Sequence, residues 1–250
     1  MVEPGMTTFD VRRAGERFHT RAGWLDSHHS FSFSRHYAPD NTHFGLLLVS
    51  NDDVVAPGTG FDTHPHRDME IVTWVLSGSL VHQDSEGHNG IIHPGLAQRM
   101  SAGRGILHSE KNDAAGSSEP VHFVQMWVVP DEDGITPGYQ QQDVRAELDR
   151  GGLVPIASGR PGHDAAIRIH QRDAALHVAR LPAGGSATLP DAPFAHVFVT
   201  RGIVELEGAG VLAAGDAVRL SDAQGQRVSA FADEPAEVLV WEMHAGLTHA

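Results

Sequence analysis

Few windows of this chain sustain the 3.6-residue apolar repeat of an amphipathic helix; short apolar runs cut off by glycine, proline and aspartate recur instead. Residues 44–50, 70–76, 79–83, 122–129, 177–181, 196–200, 204–207, 217–220 and 238–244 read as strands. Between them lie turn signals such as Pro57-Gly58, Ser77-Gly78, Pro94-Gly95, Gly103-Arg104-Gly105 and Ala214-Gly215-Asp216. Many short strands with frequent turns predict an all-β protein, either a sandwich, a jelly roll or a barrel. The best helical fragment is short, at 143–148, and opens a glycine-rich link running to about residue 165. The halves on either side look like weak copies of one plan. His64 followed by Glu70 to Gly78 resembles His196 followed by Val197 to Gly202, with Pro94-Gly95 and Gly215-Asp216 at a similar remove. The expected division is 1–143 for the N-terminal domain and 144–250 for the link and the C-terminal domain. Only the first copy is rich in metal-ligating side chains.

There is no cysteine among the 250 residues. Disulfides, thiolate nucleophiles and cysteine-ligated metals are thereby excluded, and any metal must sit on nitrogen and oxygen. The absence also fits a cytoplasmic protein, and Met1 to Phe18 shows no apolar run of the signal-peptide kind. The apolar runs are too short to span a bilayer. With 18 Lys and Arg against 32 Asp and Glu, the net charge of −14 argues against direct nucleic-acid binding. A monomer is expected.

The 18 histidines are unusual. His64-Pro65-His66 places two imidazoles at i and i+2, on one face of a strand. His108-Ser109-Glu110 repeats the spacing with one imidazole and one carboxylate. At this histidine frequency roughly one pair of each kind arises by chance. Their setting says more: on facing antiparallel strands, about 4.5–5.5 Å apart, the two pairs would converge on one ion. Three imidazoles and a carboxylate suit Fe, Mn, Ni, Cu, Co or Zn and suit Mg or Ca poorly. From spacing alone, a metal site and an accident of a histidine-rich chain both stand open.

The run Thr63-His-Pro-His-Arg-Asp-Met-Glu-Ile-Val-Thr-Trp-Val-Leu-Ser-Gly78 resembles the first signature block of the pirin family, a group of bicupins, and Met100-Ser-Ala-Gly-Arg-Gly-Ile-Leu-His-Ser-Glu110 resembles its second. His82-Gln-Asp-Ser85, Gln125-Met-Trp-Val-Val-Pro130 and Gly134-Ile-Thr-Pro-Gly-Tyr139 support it. The likeness is specific over most of 8–145, is architectural beyond, and is strongest to bacterial pirin-like quercetin 2,3-dioxygenases. It implies two tandem cupin (jelly-roll) β-barrels, the first metal-binding and the second degenerate. It implies His64, His66, His108 and Glu110 as ligands of one mononuclear ion, Fe(II) by preference, with Zn, Mn, Ni, Cu or Co as alternatives. It also implies cleavage of a flavonol such as quercetin by dioxygen with release of carbon monoxide, Glu110 acting as catalytic base. The other reading is a non-enzymatic, redox-sensing interaction protein of the pirin type. Glu70 stands where many cupins have a glutamate ligand; it could orient a ligand or be a plain strand carboxylate. His82 and Asp84 form a further i, i+2 pair that is not expected to hold a second metal. His88 and His93 are expected on the surface. His28 and His29, before the alternating run 30–34, could line a cavity mouth. His196 is expected to be structural, Trp74 and Trp127 to lie in the core, and Arg104 to serve its turn or meet an anionic substrate.

Overall fold

Strands Glu70–Ser77 and Ala236–Met243 are buried along nearly their whole length. That explains why they read as unbroken apolar runs: each has one face turned into a barrel and the other against the opposite half of the molecule. The structure is a computed structural model, which describes residues 5–112 and 118–247. It is almost entirely β, with every strand predicted from the apolar runs present.

Each half pairs a seven-stranded sheet with a four-stranded one. The first large sheet runs in the order Gly138–Asp143, Leu96–Ser101, Glu70–Ser77, Val121–Val128, Leu47–Val55, Leu25–His29, Phe18–Ala22. Its companion runs Gly60–His66, Ile106–Lys111, Leu80–Asp84, Asn89–Ile92. The small sheet of the second half, Ser186–Thr188, Arg227–Ala230, Ile203–Leu206, Gly210–Ala213, has the same sequence of connections. The internal repeat is therefore a repeat of topology.

The two large sheets meet across one apolar layer. Val72, Trp74, Val124 and Met126 come from the first half, and Leu176, Phe198, Leu239 and Trp241 from the second. The polar atoms caught there are paired: Trp74 Nε1 donates to Glu237 Oε1 at 3.0 Å, and Arg180 Nε donates to Glu237 Oε2 at 2.7 Å. A separate cluster including Ala195, Val197, Val218, Val228 and Val240 fills the second barrel.

Three local expectations need correction. The helix is Arg145–Asp149, starting two residues later than expected. The segment after it is more than a link, because Val154–Ser158 pairs with Ala174–Leu181 in the second large sheet. The run 30–34 forms no strand; Phe33 and His36 bridge across a tight turn with Ser34 at φ 53°, and Ser32 Oγ is tied to the Ala38 backbone. In space, strand Thr8–Arg12 lies beside Ala217–Ala223, on the sheet of the C-terminal half. No helix among the described residues is long and apolar enough to cross a membrane.

Candidate metal centre

Strand Gly60–His66 pairs antiparallel with Ile106–Lys111, placing His64 directly opposite His108 and His66 opposite Ile106. Beyond His108 the register slips, so that Glu110 faces Phe61. Gly60 permits this closeness: a Cβ there would run into the carbonyl oxygen of Glu110.

Three imidazoles converge. The rings of His64, His66 and His108 have centroids 4.5–4.9 Å apart, and each offers a nitrogen within 4.8 Å of the others. His64 Nε2 and His108 Nε2 are 3.0 Å apart. His66 Nε2 is buried and has no hydrogen-bond partner among the described residues. Glu110, 2% exposed, brings Oε2 to 4.0 Å from His108 Nε2. The structure thus gathers the four residues singled out in the sequence, three nitrogens close together and the carboxylate beside them.

Neighbouring groups set which nitrogens carry lone pairs. His64 Nδ1 lies 2.7 Å from the Asp62 carbonyl, which can only accept, so its proton is on Nδ1 and Nε2 is free. The carboxylate of Asp84, with no side-chain exposure, takes His82 Nε2–H at 3.1 Å. His82 Nδ1 is then an acceptor, 3.5 Å from His108 Nδ1, which leaves His108 Nε2 unprotonated toward His64. Burial, then His108 and His64, pushes the His66 pKa down to about 4. Burial, then His64 and His82, pushes His108 to about 3. Near neutral pH both are uncharged donors. An orphaned buried nitrogen, lone pairs turned toward one another and an adjoining carboxylate fit a borderline divalent transition ion.

Gln125 holds the carboxylate. Its Nε2 donates to both oxygens of Glu110, at 2.8 and 2.9 Å, and its Oε1 accepts from Trp127 Nε1 at 3.1 Å. Directly paired residues share a face, so Asn51, Gln125, Thr73 and Gln98 form a buried polar row on that wall. Above it the wall turns aromatic: Trp127 packs edge-on against His66 at 4.8 Å, and Phe33 packs edge-on against Trp127 at 5.6 Å. A cleft of about 460 Å³ opens beside His66, edged by Pro65, Ile106 and Leu107.

The remaining candidates separate by strand face. Glu70 shares the outer face of its strand with Val72 and Trp74 and binds Ser101 Oγ and the His170 backbone at the junction between halves. It is a strand carboxylate remote from the imidazoles, since alternation turns Thr73 inward and Glu70 outward. His29 is buried between Asn51 and Thr20 and stacks on Phe33, whereas His28 points the other way and stacks on His19. His88 is half-buried against Asp84 and Tyr139 rather than exposed, and His93 is half-buried too. Trp74 is core, but Trp127 is half-buried at the site. His196 is buried, and Arg104 is exposed on its turn. Sequence reasoning missed the orienting roles of His82, Asp84 and Gln125; the i, i+2 pair on the adjoining strand was the available signal for the first two.

Comparison with known proteins gives the family and the fold. The model described as Pirin matches residues 9–128, and that described as Quercetinase C-terminal cupin domain matches 155–243. A Mycobacterium tuberculosis protein named "Putative quercetin 2,3-dioxygenase" is 62% identical over 240 residues, 96% of this chain and 97% of its own length. An Escherichia coli protein named quercetin 2,3-dioxygenase is 39% identical, over 93% of this chain and 97% of its own. Among solved structures, E. coli YhhW superposes with a TM-score of 0.84 at 37% identity, covering 97% of this chain and all of its own. A structure of the same bacterial pirin in complex with nickel(II) superposes equally well, at 36% identity over 95% of this chain and all of its own.

Proposed function

The chain belongs to the pirin family of two-barrel cupin proteins, and from that premise we propose that it is a metal-dependent dioxygenase that opens the heterocycle of a flavonol such as quercetin with release of carbon monoxide. His64, His66, His108 and Glu110 hold one divalent ion, Fe(II) being our preferred metal. The observation that carries the reading is the convergence of three imidazole nitrogens, one of them buried without a partner among the described residues, beside a carboxylate. The names borne by full-length relatives support it.

A bound transition ion would supply Lewis-acid and one-electron chemistry toward a phenolic oxygen and dioxygen. The residues of the chain do the rest. Glu110 accepts the proton of the substrate's 3-hydroxyl on a carboxylate oxygen, within reach of the nitrogens that bind the ion. Gln125, bonded to both oxygens, keeps that carboxylate from rotating away. Trp127 and Phe33 give a flat aromatic ring an apolar wall and keep water from the reacting carbons.

The test is metal content and quercetin absorbance for the wild type, His64→Ala and Glu110→Ala. Loss of the ion in His64→Ala with turnover intact would end the proposal. A metal-loaded wild type inert toward flavonols and catechols would instead leave a metal-dependent interaction protein.

A further inference from the structure

The C-terminal barrel has no histidine on its small sheet, where strands Ser186–Thr188 and Arg227–Ala230 occupy the places of the ligand-bearing pair. Its large sheet carries histidine and carboxylate instead. His177 and Glu242 lie on adjacent antiparallel strands, where His177 pairs with Val240 and Ala175 with Glu242. Both side chains therefore share the face of Val240, which is turned into the second barrel. His163 reaches them from the loop between Val154–Ser158 and Ile167–Arg168.

One ligand atom from each of His163, His177 and Glu242 lies within 4.8 Å of the other two. His177 Nε2 is 2.8 Å from Glu242 Oε2, and His244 Nε2 is 2.8 Å from Glu242 Oε1. The rings of His163 and His177 are 5.4 Å apart and nearly perpendicular. Two features mark this as more than an ion-pair network. His163 Nδ1 is buried and has no hydrogen-bond partner among the described residues, a state that native proteins rarely tolerate without a reason. And the cation now on Glu242, the guanidinium of Arg160, belongs to the same loop, with 29% of its side chain still exposed. That loop borders an open cavity of about 630 Å³ whose lining includes Arg160, His163, Asp164 and Arg168.

We propose that His163, His177 and Glu242 form a second divalent transition-metal site, on the wall of the C-terminal barrel, in which the ion takes the place that Arg160 holds on Glu242. Two imidazoles and one carboxylate are a donor set for Zn, Ni, Co or Fe, and three protein ligands leave positions open toward the cavity. A buried carboxylate needs a cation. A dication would serve it and also satisfy the orphaned His163 nitrogen, which Arg160 cannot. His244 keeps its bond to Glu242 and fixes the carboxylate's orientation. The site shares no residue with the N-terminal one.

The test counts zinc. The full chain is stripped with chelator, reloaded with Zn²⁺, desalted and measured by elemental analysis. The expected count is two per chain for the wild type, one for His64→Ala/His66→Ala and one for His163→Ala, which alters only a loop residue. A wild-type count that His163→Ala leaves unchanged overturns the second site, whatever becomes of the first. A count that falls in His163→Ala but not in the 64/66 variant upholds it while removing the N-terminal reading. Arg160→Gln gives a separate readout. Removing the competing guanidinium raises zinc affinity at this site roughly fivefold; unchanged affinity with lowered stability would mean that the cluster is only an ion-pair network.

Discussion

His82 and His108 face each other Nδ1 to Nδ1 at 3.5 Å, and because Asp84 takes the other proton of His82, one carboxylate two rings away decides which nitrogen of His108 is free. Partners of this kind are worth about 10–100-fold in metal affinity. We expect His82→Ala to weaken metal binding by that range, read by competition with a chelator. Asp84→Asn, which can donate where Asp84 accepts, is expected to weaken it about tenfold. Unaltered affinity in both would show that His108 needs no orientation.

Gly60 lies where the strand of His64 and His66 crosses closest to Glu110. Gly60→Ala is expected to force the two strands apart, cost about 1–3 kcal/mol of stability as an overpacked contact does, and lower metal content with it. Urea unfolding and elemental analysis read the two effects; a variant of native stability and full metal content refutes the close approach.

Asp53 is buried beside the site, and burial, partly opposed by its bond from Ser27, raises its pKa to about 7. The folded protein therefore holds this proton from about pH 4 to 7 while the unfolded chain has lost it. Stability from this group falls as pH rises through that window, by a few kcal/mol in total. Asp53→Asn, which keeps an acceptor for Ser27, is expected to stabilise the metal-free protein by that order at pH 8 and hardly at all at pH 4. A stability gain that does not change with pH would contradict this.

Phe33 touches none of the four candidate ligands in the observed ring contacts, yet it completes the aromatic wall through Trp127. Phe33→Ala is expected to raise the KM for a flavonol roughly tenfold, as for one lost ring contact and its buried area, with metal content unchanged. Steady-state kinetics with parallel metal analysis separates this from a general loss of the site.

Much of this was legible in the sequence because strand alternation is a local rule. It put His64 with His66 and His108 with Glu110, while short apolar runs bounded by turn signals marked the strands at 70–76 and 238–244. It could not tell which face of 70–76 turns inward, so Glu70 stayed open until Trp74 and Val72 were seen at the junction between halves. Gln125 escaped because its role depends on the register between Val121–Val128 and its neighbours and on the opposing sheet, none of which leaves a local pattern. The run 30–34 alternates like a strand but is folded into a turn by Ser32 and Ala38, a case of side-chain hydrogen bonds outweighing pattern.

Strand Thr8–Arg12 binds to the far side of the molecule, and the bond from Thr7 to Asp222 beside it spans a sequence separation of 215. The strand cannot find its seat until the C-terminal barrel exists to offer Ala217–Ala223, so the two halves finish folding as one cooperative unit despite their resemblance to separable modules. A molecule clipped ahead of Phe18 would leave Ala217–Ala223 with bare amides and carbonyls along one side. Such an edge recruits the equivalent strand of another molecule, making exchanged dimers and longer chains the natural fate of the trimmed protein.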